Sequence, residues 1–191
     1  AIGSTQLTFT PANYGNTQNW SVTGVDDALD DGNVVSQVTI AINGAGTTDT
    51  TGYASLSNKN KTITTVDDDT AGFTIAQTSG STTVAETGST DTFTVVLNTE
   101  PTGNVVFALT DNDTDNTEIS YSPTALTFTT GNWNTAQTVT VTGVDDSDVD
   151  GTITSSITVA VNTGSTADSN YDALSSQAVT TTTTDNDIAR T

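Results

Sequence analysis

Carboxylates dominate the chemistry open to this 191-residue chain. Of its 23 acidic residues only Glu86, Glu100 and Glu118 are Glu, and the Asp fall in short runs. These are Asp26-Asp27 with Asp31, Asp67-Asp68-Asp69, the alternating Asp111, Asp113 and Asp115, Asp145-Asp146 with Asp148 and Asp150, and Asp185 with Asp187. Two carboxylates at ~4 Å repel by roughly 4 kcal/mol at an effective dielectric of about 20. Gathering several of them makes sense around a hard cation. Ca2+ accepts about six to eight oxygen ligands, from carboxylates, Asn side chains and backbone carbonyls. There is no His and no Cys, so the chemistry does not suit zinc or copper. Catalysis finds no foothold either. No His base or Cys nucleophile exists, and no Ser or Thr is marked as activated. Paired Asp could run glycoside hydrolysis only with a cleft and a carboxyl of raised pKa, which an exposed acidic tip is expected to lack.

The elements that must position these acids are strands. Thr is the commonest residue at 46, and Thr with Val favours pleated, half-buried strands. Period-2 alternation is clear in Phe93, Val95 and Leu97, in Val105, Phe107 and Leu109, in Val139 and Val141, and in Ile153, Ile157, Val159 and Val161. No helical apolar stripe of useful length occurs. The pattern predicts an all-β, seven-stranded antiparallel β-sandwich. Its strands are expected at about 72–86 (broken near Gly80), 91–98, 103–110, 117–129 (bulged at Pro123), 136–143, 152–162 and 177–184. Successive strands reverse direction, so alternate loops share an end. Parity therefore puts Glu86, Asp111, Asp113, Asp115, Asp145, Asp146, Asp148, Asp150, Asp185 and Asp187 at one tip. The loops 99–102, 130–135 and 163–176 go to the other. Asp49, Asp91 and Asp168 read as ordinary turn residues.

The chain also repeats itself. Val22–Asp27 and Val141–Asp146 both read Val-Thr-Gly-Val-Asp-Asp, 119 residues apart. Leu7–Thr10 answers Leu126–Thr129, Gln18 answers Gln137, and Asp31-Gly32 answers Asp150-Gly151. After a one-residue gap Tyr53 answers Tyr171, and Asp67–Asp69 answers Asp185–Asp187. Residues 72–125 have no earlier counterpart. Two units follow: residues 1–71, the last four strands of a repeat, and residues 72–191, a complete one. Half a sandwich would bare the apolar residues Leu7, Phe9, Trp20, Val22, Val38, Ile40 and Ile42, together with open strand edges. Another chain, or a rearranged segment of this one, is expected to cover Phe9, Trp20 and Ile40. Two explanations compete: the chain is cut out of register from a longer array, or a neighbouring chain donates the missing strands by β-strand complementation, giving head-to-tail filaments.

Three stretches resemble the bacterial Calx-β-like repeats. They are Asp67-Asp68-Asp69-Thr70-Ala71-Gly72-Phe73, Thr83-Val84-Ala85-Glu86-Thr87-Gly88, and Leu126-Thr127-Phe128 with Val141–Asp146. The resemblance implies a seven-stranded sandwich binding Ca2+ where one domain meets the next. It implies ligands at Glu86, Asp111, Asp145, Asp146, Asp185 and Asp187, and in the first unit at Asp26, Asp27, Asp67, Asp68 and Asp69. Asn186 departs from the pattern by replacing the central Asp of the last run. Such repeats look like extender modules of large secreted or surface proteins, including adhesins.

Composition narrows the setting. The formal charge of −20 excludes ordinary nucleic-acid binding and docking on anionic membranes. No apolar run approaches the ~20 residues needed to cross a bilayer. With neither an initiating Met nor a visible signal peptide, the chain reads as processed or as part of something longer. A Cys-free chain rich in Thr, Asp, Asn and Gly fits a bacterial extracellular or cell-surface protein. The expectation is a non-enzymatic, Ca2+-stiffened extender module whose partners are neighbouring repeats or identical chains. The alternative is an adhesive or glycan-binding module using loops 130–135 and 163–176. Trp20, Trp133 and Tyr14 are expected in core or rim packing rather than as a sugar platform. The Asp111–Asp115 stretch imitates an EF-hand loop, but Asn116 stands where Gly is needed and Ser122 where Glu is needed.

Overall fold

The computed structural model describes residues 6–49, 51–112 and 118–189. It divides into two compact units, one of residues 1–27 and 31–68, the other of residues 28–30 and 69–191. Among the described residues both are all-β, apart from a 3-10 turn in the first (Tyr53–Ser55) and, in the second, another (Thr78–Gly80) and one single-turn α-helix.

In the second unit the strands are β3 (Phe73–Gln77), β4 (Thr82–Ala85), β5 (Thr90–Leu97), β6 (Val105–Asp111), β7 (Ile119–Ser122), β8 (Ala125–Phe128), β9 (Gln137–Gly143), β10 (Ile153–Val161) and β11 (Gln177–Thr184). The short helix α1 (Ser169–Asp172) precedes β11. They form a four-stranded sheet, β3-β5-β9-β7, and a five-stranded sheet, β4-β11-β10-β6-β8.

Two of the seven expected strands are each cut in two, and the halves lie in different sheets. The first is cut at Ser79 and Gly80, both with positive φ (56° and 83°). This turns β3 in one sheet into β4 in the other. The second is cut at Pro123, which has no N–H to donate to a ladder, and β7 gives way to β8. One pairing also departs from the antiparallel expectation. β4 runs parallel to β11, with Thr181 opposite Thr82 and Thr184 opposite Ala85.

The alternating apolar residues meet between the sheets. Phe93, Val95, Phe107, Phe128, Val139, Val141, Ile157 and Val159 have no exposed surface. Phe73 and Phe128 flank Phe107, with ring centroids 4.7 and 6.0 Å away. At the base, Asp168 is buried and accepts the N–H groups of Thr102 and Asn170, capping α1. Asp91 and Asp49 likewise bond nearby backbone, as turn residues do. Residues 28–30 belong with this unit: Leu29 bridges Glu100, and Asp30 accepts the Ala71 N–H.

In the first unit only two of the four expected strands form among the described residues. They are β1 (Val34–Ile40) and β2 (Lys59–Thr65). Local bonds match the second unit closely. Gln18 Nε2 donates to Thr8 O as Gln137 Nε2 donates to Thr127 O, and Thr10 N–H donates to Asn13 Oδ1 as Thr129 N–H donates to Asn132 Oδ1. The missing strands are the counterparts of β8 and β9. In the second unit β8 pairs with β6, while β9 pairs with β5 and β7. The described residues hold no counterparts of β5 or β6, so the ladders to those strands do not form. Its apolar face lies bare as well: Phe9 is 55% exposed where Phe128 is fully buried, and Ile40 is 56% exposed. The expectation that a rearranged segment of this chain covers Phe9, Trp20 and Ile40 is not met at Phe9 and Ile40, while Trp20 is half-buried.

The glycine of the repeated hexapeptide has a steric reason in one unit alone. A Cβ on Gly143 would lie 2.1 Å from the carbonyl oxygen of Ala85 and 2.6 Å from its carbon. A Cβ on Gly24 meets nothing closer than Thr65 Cγ2 at 3.5 Å. Backbone cannot swing aside as a side chain can. Gly143→Ala is therefore expected to cost about 2–4 kcal/mol in urea unfolding, and Gly24→Ala to be near neutral. Equal costs would mean that the close approach of β9 to β4 is not what the residue serves.

Candidate metal centre

The end of β4 places the key side chain. Glu86 N–H donates to Thr184 O at 3.1 Å, extending the parallel pairing with β11 by one residue. Its carboxyl is thereby drawn beneath the 185–187 run and fully buried. Oε2 accepts the Asn186 N–H at 3.1 Å, while Oε1 is buried without a hydrogen-bond partner. Oδ2 of Asp187 is a second buried oxygen without one.

Other acids converge on Glu86 from separate loops. Carboxylate oxygens of Glu86, Asp146 and Asp187 lie within 4.8 Å of one another, and so do those of Glu86, Glu118 and Asp150. Glu86 belongs to both groups. Around them Asp185 accepts the N–H groups of Gly151 and Asp187, and Asp145 accepts the Asn186 side-chain amide at 2.8 Å. Gly151 has φ +79°, which turns its N–H to this task.

Asp111 is in neither triad, and its carboxylate faces Tyr121. Burial, with Asp111 beside it, pushes the Tyr121 hydroxyl up to about 12. Asp113 lies outside the described residues. Asp26, Asp27, Asp31 and Asp68 are exposed, with carboxylate oxygens of Asp26 and Asp68 within 4.8 Å of each other. Asp67 accepts the Gly32 N–H, as Asp185 accepts that of Gly151. Asp69 falls in the second unit, half-buried.

Glu118 was not expected here. It opens the strand read at 117–129, and its carbonyl accepts the N–H of Val144, tying it to the hexapeptide loop. The available signal was its type: it is one of three Glu in a chain whose acid is otherwise Asp.

The electrostatics record the crowding. The Asn186 N–H draws the Glu86 carboxyl downward, but burial and the charges of Asp185, Asp146 and Asp150 outweigh it, so its pKa is raised. Asp187 is raised by burial first and then by Asp185, Asp145, Asp146 and Asp148. Asp185 is lowered by the N–H groups of Asp187 and Gly151. The acidic tip was expected to hold no carboxyl of raised pKa. Glu86 and Asp187 correct that, because β4 carries Glu86 under the loops instead of leaving it in solvent. Enclosed as it is, Glu86 offers a substrate no access. At the opposite tip Trp133 is half-buried against the core, as packing requires, whereas Tyr14 of the first unit, expected in core or rim packing, is 74% exposed.

Comparison with known proteins leaves the assignment to this geometry. No family model matches the chain, and no curated protein does. Similar solved structures include the E. coli chaperone DraB, at 8% identity over 61% of this chain and 56% of that one, TM-score 0.42. Domains 4 and 5 of the S-layer protein SbsC match at 22% identity over 66% of this chain and 63% of theirs, TM-score 0.37. WR4, a C. elegans MSP family member, matches at 10% identity over 58% of this chain and 96% of its own, TM-score 0.37. The chain thus spans less than two thirds of DraB and of the SbsC domains. Likeness this slight assigns no function.

The raised carboxyls set a pH dependence. Between the unfolded and folded pKa of a raised acid, the native state holds more protons than the unfolded one, so stability falls as pH rises through that window. For Glu86 the window opens at its ordinary 4.5, and for Asp187 at 3.8. Asp185 acts oppositely: its contribution is present above 3.8 and is lost as pH falls through its lowered value. In chelator, the melting temperature is expected to fall as pH climbs from these values toward neutrality. Glu86→Gln keeps an acceptor for Asn186 and places an amide donor among the carboxylates. It should melt higher than wild type at neutral pH in chelator, with a shallower pH slope. A lower melting temperature for Glu86→Gln under those conditions would contradict the charge crowding.

Proposed function

We propose that this chain is a non-enzymatic, Ca2+-binding structural module of the Calx-β-like kind, serving as an extender segment of a large bacterial extracellular or cell-surface protein. On this reading the nine strands of the second unit are seven, two of which change sheets midway, and the first unit is the closing part of a preceding repeat. Ca2+ is held at the tip by Glu86, Asp146 and Asp187, with Glu118 and Asp150 as a second group sharing Glu86.

The observation that carries the reading is Glu86 Oε1: buried, without a hydrogen-bond donor, and ringed by carboxylates. An ionised oxygen in that position is costly unless a cation balances it. Oxygen-only donors from several loops suit Ca2+, which tolerates irregular geometry, better than Mg2+, which demands a near-ideal octahedron. The acids lie on loops leaving β4, β9 and β11 and on the segment entering β7. A bound ion would therefore tie both sheets together at one end, which is the action expected of a stiffening element.

Calorimetry in chelator against millimolar Ca2+ tests the assignment. A ligand that binds only the folded state stabilises by about 2.7 kcal/mol at a hundredfold excess over Kd. A rise of several degrees is expected in wild type and little in Asp146→Ala. Asp168→Ala removes a buried acceptor of two backbone N–H groups, so it should cost about 1–3 kcal/mol yet keep the full calcium response. Identical melting of wild type with and without Ca2+ would overturn the proposal, as would equal loss of response in both variants.

A further inference from the structure

The stretches Val22–Gly32 and Val141–Gly151 agree at every position but three. Where the first has Ala28-Leu29-Asp30, the second has Ser147-Asp148-Val149. The fold singles out the same three residues. Residues 21–27 and 31–37 are exposed, whereas Ala28, Leu29 and Asp30 are half-buried and belong to the second unit. Ser147, Asp148 and Val149 are exposed.

Hydrogen bonds hold the tripeptide at each end. Glu100 N–H donates to the Ala28 carbonyl at 2.7 Å, and Leu29 bridges Glu100 in parallel. Asp30 Oδ2 accepts the N–H of buried Ala71 at 2.7 Å, and Asn170 Nδ2 donates to the Asp30 carbonyl. The surface that receives it is braced from within. Asp168 accepts the N–H groups of Thr102 and Asn170, which joins the 99–102 loop to α1. The buried Tyr171 hydroxyl donates to Thr99 O at 2.7 Å and lies 2.9 Å from Thr99 Oγ1. Its counterpart in the first unit, Tyr53, is 59% exposed.

We propose that the base of the second unit, at Ala71, Glu100 and Asn170, is a recognition surface for a short segment of small-Leu-Asp type, and that Ala28-Leu29-Asp30 occupies it as a latch. Backbone groups of Ala71, Glu100 and Asp30 supply most of the bonds, and the Asp30 carboxylate supplies selectivity. Valine in its place, as at Val149, offers no side-chain acceptor. The tripeptide is tethered on both sides, so its docking is intramolecular and needs few contacts to be populated. Asp30 belongs to none of the acidic groups placed to hold an ion among the described residues. The inference therefore rests on the repeat alignment and not on calcium.

Hydrogen exchange of the whole chain in chelator, read by NMR at the Ala71 and Glu100 amides, tests the latch. Asn170→Ala removes the acceptor of neither amide, yet should speed exchange at both by at least about tenfold. Giving the first loop the second loop's residues (Ala28→Ser, Leu29→Asp and Asp30→Val together) should do the same at Glu100, whose own acceptor is a backbone carbonyl that these changes keep. Val25→Ala, at a residue 71% exposed, should leave both amides unchanged. Amides of β5 and β9 report whether each variant stays folded. The triple variant lies outside the core of the second unit, so it remains readable if Asn170→Ala disturbs α1. Unchanged exchange at Glu100 in the triple variant would overturn recognition of this segment, as would equal speeding by Val25→Ala. Unchanged exchange in Asn170→Ala would overturn the part given to α1. The melting response to Ca2+ is a separate readout, so either proposal can fail while the other stands.

Discussion

A β-strand exists only against a neighbour that takes up its N–H and C=O groups, and this requirement shapes both units. In the second, β3 becomes β4 and β7 becomes β8 by crossing between sheets, so both sheets gain strands from one continuous segment. In the first, the segments aligned with β8 and β9 form no strand among the described residues, which hold no counterpart of β5 or β6. The hairpin β1–β2 survives since each of its strands is the other's partner. Its short-range side-chain bonds survive too, because Asn13 and Gln18 reach backbone only 3 and 10 residues away.

The same pairing creates the acidic site. Aligning β4 in parallel with β11 puts Glu86 level with the residues that follow β11. Gly143 lets β9 press against Ala85, which brings the Asp145-Asp146 turn over the same spot. Neither step involves attraction between acids; both are imposed by backbone geometry upon groups that repel. The raised pKa of Glu86 and Asp187 is the residue of that conflict, and a cation is the simple means of relieving it.

Much of this was legible in the sequence. Alternation located the core of β5, β6, β9 and β10, because each has one buried face and a pattern of period two. Parity sent Glu86, Asp146, Asp150 and Asp187 to one tip, since loop position follows from strand direction alone. The sheet changes were less legible. Gly80 and Pro123 marked irregularities, but a break and a crossing look alike in one dimension. The parallel β4–β11 pair was not foreseen, and so neither was the burial of Glu86. Glu118 escaped notice because an acid at a strand's start carries no periodic signature. Asp111 was grouped with the tip by parity, yet side-chain direction turned it toward Tyr121. The apolar face of the first unit was expected to be covered, yet Phe9 and Ile40 are exposed, and the loss of two of its strands required counting which ladders would be left without partners.

The parallel alignment of β4 with β11 also governs how tension would travel. A pull on a chain entering before Phe73 and leaving after Asp187 draws β4 and β11 in opposite directions along their length. Their rungs, from Thr82–Thr181 to Ala85–Thr184, then lie across the load and must give way together rather than one after another. An ion held by Glu86 and Asp187 would act as a rivet at the end of this lap joint, where slip begins.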